Sequence, residues 1–528
     1  MGHYVNPGND YIASIVKRKP FVDKSDMIAD LNNLFGPDDR GRVCVSRPRR
    51  FGKTLAANMI SAYYSCGCDS RAIFEGLKLS KMQGWDAHLN SCNVIWVDVS
   101  EFYCGLGNGE NFVCALKSAL LKELACEFPN VGITAEDDFF DGLRRAYESD
   151  RRPFVVILDE YDALLRYSVG KESFDEYLNF LNVLFKGMAM SKIVQLAYIT
   201  GIIPIIRNSF QSKLNNFREF TMVSPGRFAR YMGFTRDEVK AVCDECGIDF
   251  AMCLDWYDGY KLNDEVDVSS PYSVTLAASE KCFESHWSAT GSYYCLKDYI
   301  SMDFDGIRAD VIRFMNGEQL DIDISTYQNS LSDFNDKDEI FTYLVHLGYL
   351  AYNSQTHKAY IPNKEVMGEW KNSLKDNRKF RAIIDFIDNS RNLLSASIDK
   401  DAQAVAEALD YAHQEVTSSL SYNNEQSLQS AITLAYFYAK ANYTVLKEMP
   451  TCRGYADVAF IPIVPSSEYP AIIIELKWNK TAKSALAQIR AKRYADALSH
   501  YKGKLILAAV TYDVKTKQHT CEFSEQEL

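Results

Sequence analysis

Five apolar runs of strand length punctuate the first part of this chain, at residues 42–48, Val94–Val99, Phe154–Leu158, Ile193–Thr200 and Glu219–Val223. Segments with helical spacing separate most of them, for example Asn111–Phe128 and Asp175–Ala189. Lys53–Ser65 carries Leu55, Met59 and Tyr63 at intervals of four. Uninterrupted apolar strands are buried on both faces, and strands alternating with helices join in parallel. The pattern predicts an α/β fold, a parallel sheet with helices on both faces, over residues 1–235.

The chain has 528 residues, 47% of them apolar and 24% charged, enough for about three cores at ~150 residues per domain and incompatible with disorder. Residues 236–420 read as a helical region that opens on the capping-box pattern Thr235-Arg-Asp-Glu238. Within it a helix at Asp338–Leu350 precedes a hairpin from Ala351 to Pro362, a winged-helix-like arrangement, and a charged helical stretch follows over 365–420. Residues 421–528 read as a separate mixed α/β unit. Its expected elements are a helix at Glu425–Lys440, strands at Tyr443–Glu448, Tyr455–Ile461 and Ala471–Lys477, a helix at Lys483–Leu498 and a strand at Lys504–Thr511. No run of eighteen apolar residues predicts a membrane span, and the polar N-terminus carries no export signal. Fourteen cysteines scattered singly through apolar runs read as buried thiols. Cytoplasmic residence, away from any membrane, is the expectation.

Arg49-Arg50-Phe51-Gly52-Lys53-Thr54 lies where the first strand turns into a helix. Gly52 lets backbone N–H groups curl around a phosphate at the positive end of that helix. Lys53 would reach the β- and γ-phosphates of ATP, and the Thr54 hydroxyl would ligate Mg2+. Arg47 stands where the usual G-x-x-x-x-G-K-[ST] pattern has its first glycine. About a hundred residues on, Phe154–Leu158 ends in Asp159-Glu160 at the edge of the sheet where ligands bind. Asp159 would hold Mg2+ through water, and Glu160 would orient and deprotonate the attacking water. Thr200 ends another apolar strand, from which its hydroxyl would approach the γ-phosphate. Arg207 and Arg227 are equal candidates for a charge-stabilising guanidinium.

In Ala471-Ile-Ile-Ile-Glu475-Leu-Lys477 the strand period puts Glu475 and Lys477 on one face of a buried strand. Burial of either costs several kcal/mol unless it is paired or binds something. Asp457 sits in the apolar strand before it. Two carboxylates and a lysine on adjacent strands suit phosphodiester hydrolysis: Asp457 and Glu475 would bind Mg2+, Lys477 would position or activate water, and Glu425 would assist. Gln488, Arg490, Lys492, Arg493 and Tyr494 in the next helix suit backbone phosphates. Charge agrees, since Lys440–Thr520 holds 13 Lys and Arg against 6 Asp and Glu in a chain of net charge −12.

At these residues the chain resembles the bacterial AAA-ATPase-like proteins that carry a C-terminal PD-(D/E)XK nuclease-superfamily domain. The resemblance runs through Phe21-Val-Asp-Lys24, Arg47-Pro-Arg-Arg-Phe-Gly-Lys-Thr54, Leu158-Asp-Glu-Tyr-Asp162, Thr200-Gly201, Leu214-Asn-Asn216, Gly233-Phe-Thr235, Trp256-Tyr-Asp-Gly-Tyr260 and Pro271-Tyr-Ser273. It continues at Gly454-Tyr-Ala-Asp457, Glu475-Leu-Lys477 and Gln488 through Tyr494. It implies a P-loop ATPase fused to a restriction-endonuclease-like fold, with Arg47 as the family's own variant of the loop. The expected activity is ATP hydrolysis that controls a Mg2+-dependent nuclease at the basic C-terminal domain, with nucleic acid, DNA first, as partner. A nucleotide-gated switch that binds nucleic acid or protein without cutting is the alternative, and assembly into homo-oligomers is open. Cys243-Asp-Glu-Cys246 has zinc-like spacing without a second pair or a nearby histidine, so core packing is the reading there.

Overall fold

The computed structural model describes residues 2–37, 39–107, 109–167, 169–205, 211–263, 266–287, 306–325, 327, 334, 336–374, 378–416, 428–429, 432–433, 435–451, 454–463, 469–479 and 504–527. It forms two compact units, residues 1–307 with 320–369, and residues 308–319 with 370–528.

Five parallel strands organise the first unit: β1 (Arg42–Ser46), β2 (Asn93–Asp98), β3 (Phe154–Asp159), β4 (Val194–Gly201) and β5 (Arg218–Phe220), in the order β2-β3-β4-β1-β5. Helix α1 (Lys53–Tyr64) follows β1. Helices α2 (Val99–Cys104), α3 (Phe112–Glu127) and α4 (Phe139–Asp150) connect β2 to β3, and α5 (Ala163–Arg166) and α6 (Lys171–Lys186) lead from β3 towards β4. Strand alternation sorts the core into two layers. Cys44, Val156 and Leu158 pack with Leu116, Leu143 and Leu181 of α3, α4 and α6, while Val43, Val45, Val155 and Ile157 pack with Met59, Ile60 and Tyr63 of α1. Burying each such aliphatic side chain contributes roughly 1.5–3 kcal/mol, so these runs have one stable placement, between two helical layers. Because all five strands run the same way, the loop after β1 and the acids after β3 emerge at one edge, separated only by β4.

The capping box at Thr235 and Glu238 forms as expected and starts α7 (Arg236–Cys246). With β6 (Phe234–Thr235), α8 (Phe250–Tyr257), β7 (Tyr260–Lys261), β8 (Asp267–Ser269) and α9 (Pro271–Glu280) it builds a small helical layer on a three-stranded sheet that sequence patterning did not reveal. Cys243 and Cys253 lie in its apolar core, as the packing reading of Cys243-Asp-Glu-Cys246 anticipates.

Further along, β9 (Leu320–Asp321) joins a hairpin of β10 (Ala351–Asn353) and β11 (Lys358–Tyr360), which follows α10 (Lys337–Leu347). The helix plus hairpin is thus present, but the helix stops three residues short of the expected end. Gly348 caps it at φ 87°, and a Cβ there would sit 2.9 Å from the ring of Pro48. Ile340 through His346 are all buried, so α10 is a packing element without an exposed groove-reading face.

The second unit centres on a mixed sheet, β12 (Tyr443–Thr451), β13 (Gly454–Pro462), β14 (Ala471–Trp478), β15 (Lys504–Asp513) and β16 (Gln518–Glu527) in that order. Only β14 and β15 pair in parallel. Helices α11 (Arg378–Ile398) and α12 (Ala402–Val416) cover one face through Leu393, Leu394, Val405 and Leu409, which meet Ile472, Ile474 and Val510. The last strand, β16, went unrecognised because its apolar positions are few. Its His519, Cys521 and Phe523 alternate with polar residues on an edge strand, where the outer face is wet. Of the helix expected at Glu425–Lys440, residues 428, 429, 432, 433 and 435 are helical and Phe437–Ala441 is a 3-10 turn; its other residues except 436, all of the helix expected at Lys483–Leu498, and Glu425, Gln488, Arg490, Lys492, Arg493 and Tyr494 lie outside the described residues. No described helix is long and apolar enough to cross a membrane.

Candidate active sites

In the first unit the turn after β1 is built on a buried arginine. Arg47 donates to the carbonyls of Ser46 at 2.8 Å, Phe220 at 2.9 Å and Phe228 at 3.4 Å. A glycine cannot make these bonds, so Arg47 replaces loop freedom with a strut to β5. Its burial lowers the guanidinium pKa to about 10. Phe51 plugs the core edge-on to Tyr260, with ring centroids 5.1 Å apart, and its carbonyl accepts from Gly233 N–H at 3.2 Å. Between these anchors Gly52 adopts φ 89°, and no atom lies within 4 Å of where its Cβ would be. The backbone there is left-handed and open, as a phosphate cradle requires.

Lys53 begins α1 with its side chain buried, and Nζ donates to the carbonyls of Arg47 at 3.1 Å and Pro48 at 2.8 Å. Burial pushes its pKa down to about 8 against the upward pull of Asp159 and Glu160. Asp159 ends β3 fully buried, and burial raises its carboxyl to about 6 although the Thr54 hydroxyl and Lys53 favour the anion. Asp159 Oδ2 is buried without a hydrogen-bond partner. An orphaned carboxylate oxygen beside a threonine hydroxyl fits a hard cation such as Mg2+. Glu160 follows at φ 50° and forms an ion pair of 2.6 Å with Arg166. Burial raises its carboxyl, but Arg166, Lys53 and Arg49 outweigh that and hold it below the usual value.

Lys53, Thr54 and Glu160 border a cavity of about 660 Å³. Its lining is partly apolar, with Ile15, Phe21, Val22, Met27, Met59 and Phe234, and partly cationic, with Arg18, Lys19, Lys24, Arg49, Arg50 and Lys53; Glu160 is the one acid among its described lining residues. Arg50 lies 4.2 Å over the Tyr272 ring and donates to the His286 carbonyl. Lys53, Thr54, Asp159 and Glu160 therefore come together, with Arg49, Arg50, Phe51 and Gly52 along the same wall.

Thr200 does not join them. Its hydroxyl donates to Val45 O at 2.9 Å, away from the phosphate loop's Lys53 and Thr54. A strand-end hydroxyl within reach of the neighbouring strand's carbonyl is spent on that bond. Arg227 is exposed on the turn Gly226–Phe228, and Arg207 lies outside the described residues.

Sequence reasoning missed one acid here, Asp98, and gave no role to a second, Asp162, which it placed after Asp159-Glu160. Asp98 ends β2 in register with Asp159 and caps α2 by accepting from Glu101 N–H at 2.9 Å. Asp162 braces the turn after β4 through Ile202 N–H at 3.1 Å and Ile203 N–H at 2.9 Å. The acid ending Trp96-Val-Asp98 was a readable signal for the first; Asp162 stood in the strand-end motif, but its bonds to Ile202 and Ile203 are tertiary and its role was not readable.

In the second unit Asp457 and Glu475 stand one position beyond the last paired residues of β13 and β14, Val458 and Ile474. Ala459, Ala471 and Ile473, which share their parity, pack in a single cluster, so Asp457, Glu475 and Lys477 occupy the same face. Lys477 Nζ lies 3.2 Å from Glu475 Oε1 and donates to Leu476 O at 2.9 Å. Asp457 Oδ2 accepts from Leu476 N–H at 2.6 Å. Glu475 is fully buried and Lys477 nearly so. The two acids and the lysine therefore meet on adjacent strands. Among the described residues no group of three or more His, Cys, Asp or Glu is arranged to hold a metal ion.

A parallel sheet whose lysine-bearing loop and acidic strand end flank an inserted strand defines a P-loop NTPase fold. Residues 9–211 match the family described as Predicted AAA-ATPase, and residues 423–522 match the PD-(D/E)XK nuclease superfamily. The chain thus carries an AAA-ATPase-like domain followed by a PD-(D/E)XK nuclease-superfamily domain. No curated protein matches it. Among solved structures it is similar to Hsp104 of S. cerevisiae in its ADP complex, with 12% identity and a TM-score of 0.29 over 82% of this chain and 50% of that one. It is also similar to Aeropyrum pernix ORC2 in ADPNP–ADP complexes, with 11% identity and a TM-score of 0.33 over 69% of this chain and 98% of that one. A third is A. pernix ORC1 in complex with DNA, with 11% identity and a TM-score of 0.26 over 67% and 90%. The chain spans about half the length of Hsp104.

Proposed function

We propose that the chain is an ATPase coupled to a Mg2+-dependent nuclease-like domain that acts on DNA. One observation supports the first half above all others: Lys53, Thr54, Asp159 and Glu160 meet beside a cavity whose lining combines cationic and apolar side chains with a single acid. A triphosphate suits the cationic residues of that lining and a purine base its apolar ones. Lys53 exchanges its two loop carbonyls for phosphate oxygens, and the N–H groups around Gly52 carry the remaining charge. Thr54 and Asp159 would hold Mg2+, which when bound neutralises charge that develops on the phosphates. Glu160 takes the proton of the attacking water. Release of labelled phosphate from ATP by wild type and Lys53→Ala tests this reading, and equal turnover removes the site.

In the second unit Asp457 and Glu475 would hold Mg2+ and Lys477 would orient a water against a phosphodiester. Mg2+-dependent cleavage of linear and supercoiled DNA by wild type but not by Lys477→Ala is the expected result. A second reading, a nucleotide-gated switch that binds nucleic acid or protein without cleavage, is favoured by a specific feature. Asp457 accepts from the Leu476 N–H and Lys477 pairs with Glu475, so each of the three groups already has a partner within the protein. Retained DNA binding with no cleavage in Mg2+ or Mn2+ would select that reading.

A further inference from the structure

Arg47 stands directly behind the phosphate loop, where its carbonyl accepts from Lys53 Nζ at 3.1 Å. Its guanidinium is fully buried, and the bonds it donates, to Ser46 O, Phe220 O and Phe228 O, all end on backbone carbonyls. Nε is buried without a hydrogen-bond partner. Among the described residues no carboxylate pairs with it. The titratable groups that face it are the Tyr198 phenol of β4 and the His346 imidazole of α10. Burial keeps both neutral, raising the Tyr198 hydroxyl and pushing His346 down to about 3.

Three carbonyl dipoles solvate a guanidinium but do not cancel its charge. A buried cation without a counter-ion costs several kcal/mol. A strut to β5 alone would not call for a charge, since a neutral amide also donates to carbonyls. The field of a buried charge, however, crosses the protein interior with little screening by water or salt. The phosphate cradle at Gly52 and Lys53 lies a few residues along the same loop.

We infer that Arg47 is a positioning residue whose missing counter-ion is the polyphosphate of the bound nucleotide, on which it acts through the loop without touching it. The inference rests on the nucleotide-binding half of the reading given above. Arg49, Arg50 and Lys53 border the cavity and make the direct contacts. Arg47 adds a uniform attraction behind them, so it sorts ligands by total charge rather than by shape. A purely mechanical strut would instead affect charged and uncharged ligands alike.

The test is calorimetric titration of the full-length protein with ATP, ADP and adenosine, in EDTA to prevent turnover, with far-UV circular dichroism as the folding control. Arg47→Gln keeps an amide donor for the carbonyls and removes the charge. It is expected to weaken ATP about tenfold and ADP about threefold while leaving adenosine unchanged. Arg47→Lys keeps the charge and loses the fork, so it should retain the wild-type ratio of ATP to adenosine affinity even if all three ligands bind less tightly. Should the glutamine variant fail to fold, Arg47→Met, which offers an apolar side chain without charge, is measured in its place and should show the same graded loss. An equal loss for all three ligands, or no loss for ATP, in a folded neutral variant makes the arginine a strut alone and overturns the inference. Failure of both neutral variants to fold overturns it too, because the empty chain would then need the charge. A wild type that binds in the order ATP, ADP, adenosine, with the graded loss in the neutral variant, yet releases no phosphate from ATP in Mg2+ removes the ATPase reading and upholds this inference. A wild type that binds none of the three removes both.

Discussion

The two candidate sites use the same ingredients, strand-end carboxylates and a lysine, and differ in how those groups spend their bonding capacity. In the first unit Lys53 rests on two backbone carbonyls, and Asp159 keeps a buried oxygen without a hydrogen-bond partner. In the second, Lys477 faces Glu475 and Asp457 takes the N–H of Leu476. Backbone carbonyls yield readily to a charged ligand; a buried carboxylate–lysine pair does not, because separating it strands a charge. The first arrangement is prepared to exchange partners, whereas the second contributes to the stability of its own sheet.

The largest effect that would break this contrast is on turnover. Lys53→Ala should lower kcat/KM for ATP about a thousandfold while changing the stability of the protein by less than about 1 kcal/mol, since it removes a cation that burial already disfavours. Chemical denaturation would expose a structural role if the stability loss were several kcal/mol instead. Lys477→Ala should do the reverse and destabilise the second unit by about 3 kcal/mol, because it leaves Glu475 buried without the cation beside it. An unchanged urea midpoint would show that the pair is not what holds that edge together.

A smaller test concerns pH. Burial raises the Asp159 carboxyl to about 6 in the folded chain, so its charge is present above that value and lost below it. Mg2+-dependent ATP affinity should therefore fall roughly tenfold per unit as pH drops below 6. Calorimetric titration of Asp159→Asn, which has no such proton to gain, should show a flat profile. The smallest expected effect lies away from both sites: Thr235→Ala removes the capping box of α7 and should cost about 1 kcal/mol in thermal unfolding. A loss of that size without change in ATP affinity would separate helix stability from the site's chemistry.

Much of the architecture was legible because burial imposes a short-range code. Runs such as Phe154–Leu158 are apolar at every position, which is stable only between two covering layers, and Gly52-Lys53-Thr54 marks where such a strand turns into a helix. The period of two likewise put Glu475 and Lys477 on one face. Strands that contribute two or three residues to a ladder, such as β6 through β9, carry too little pattern to be read. The edge strand β16 was hidden by its own polar side.

The residues themselves therefore determined the layered α/β class, the phosphate loop and the identity of both carboxylate–lysine sets, since periodicity and chemical type are local properties. Only the tertiary structure decided that Arg47 is a strut, that the Thr200 hydroxyl turns to β1, and that Arg166 claims Glu160. Each of those outcomes depends on which hydrogen-bonding group from a distant segment arrives within about 3 Å, and hydrogen-bond energy falls off too steeply with distance and angle for sequence spacing to foretell it.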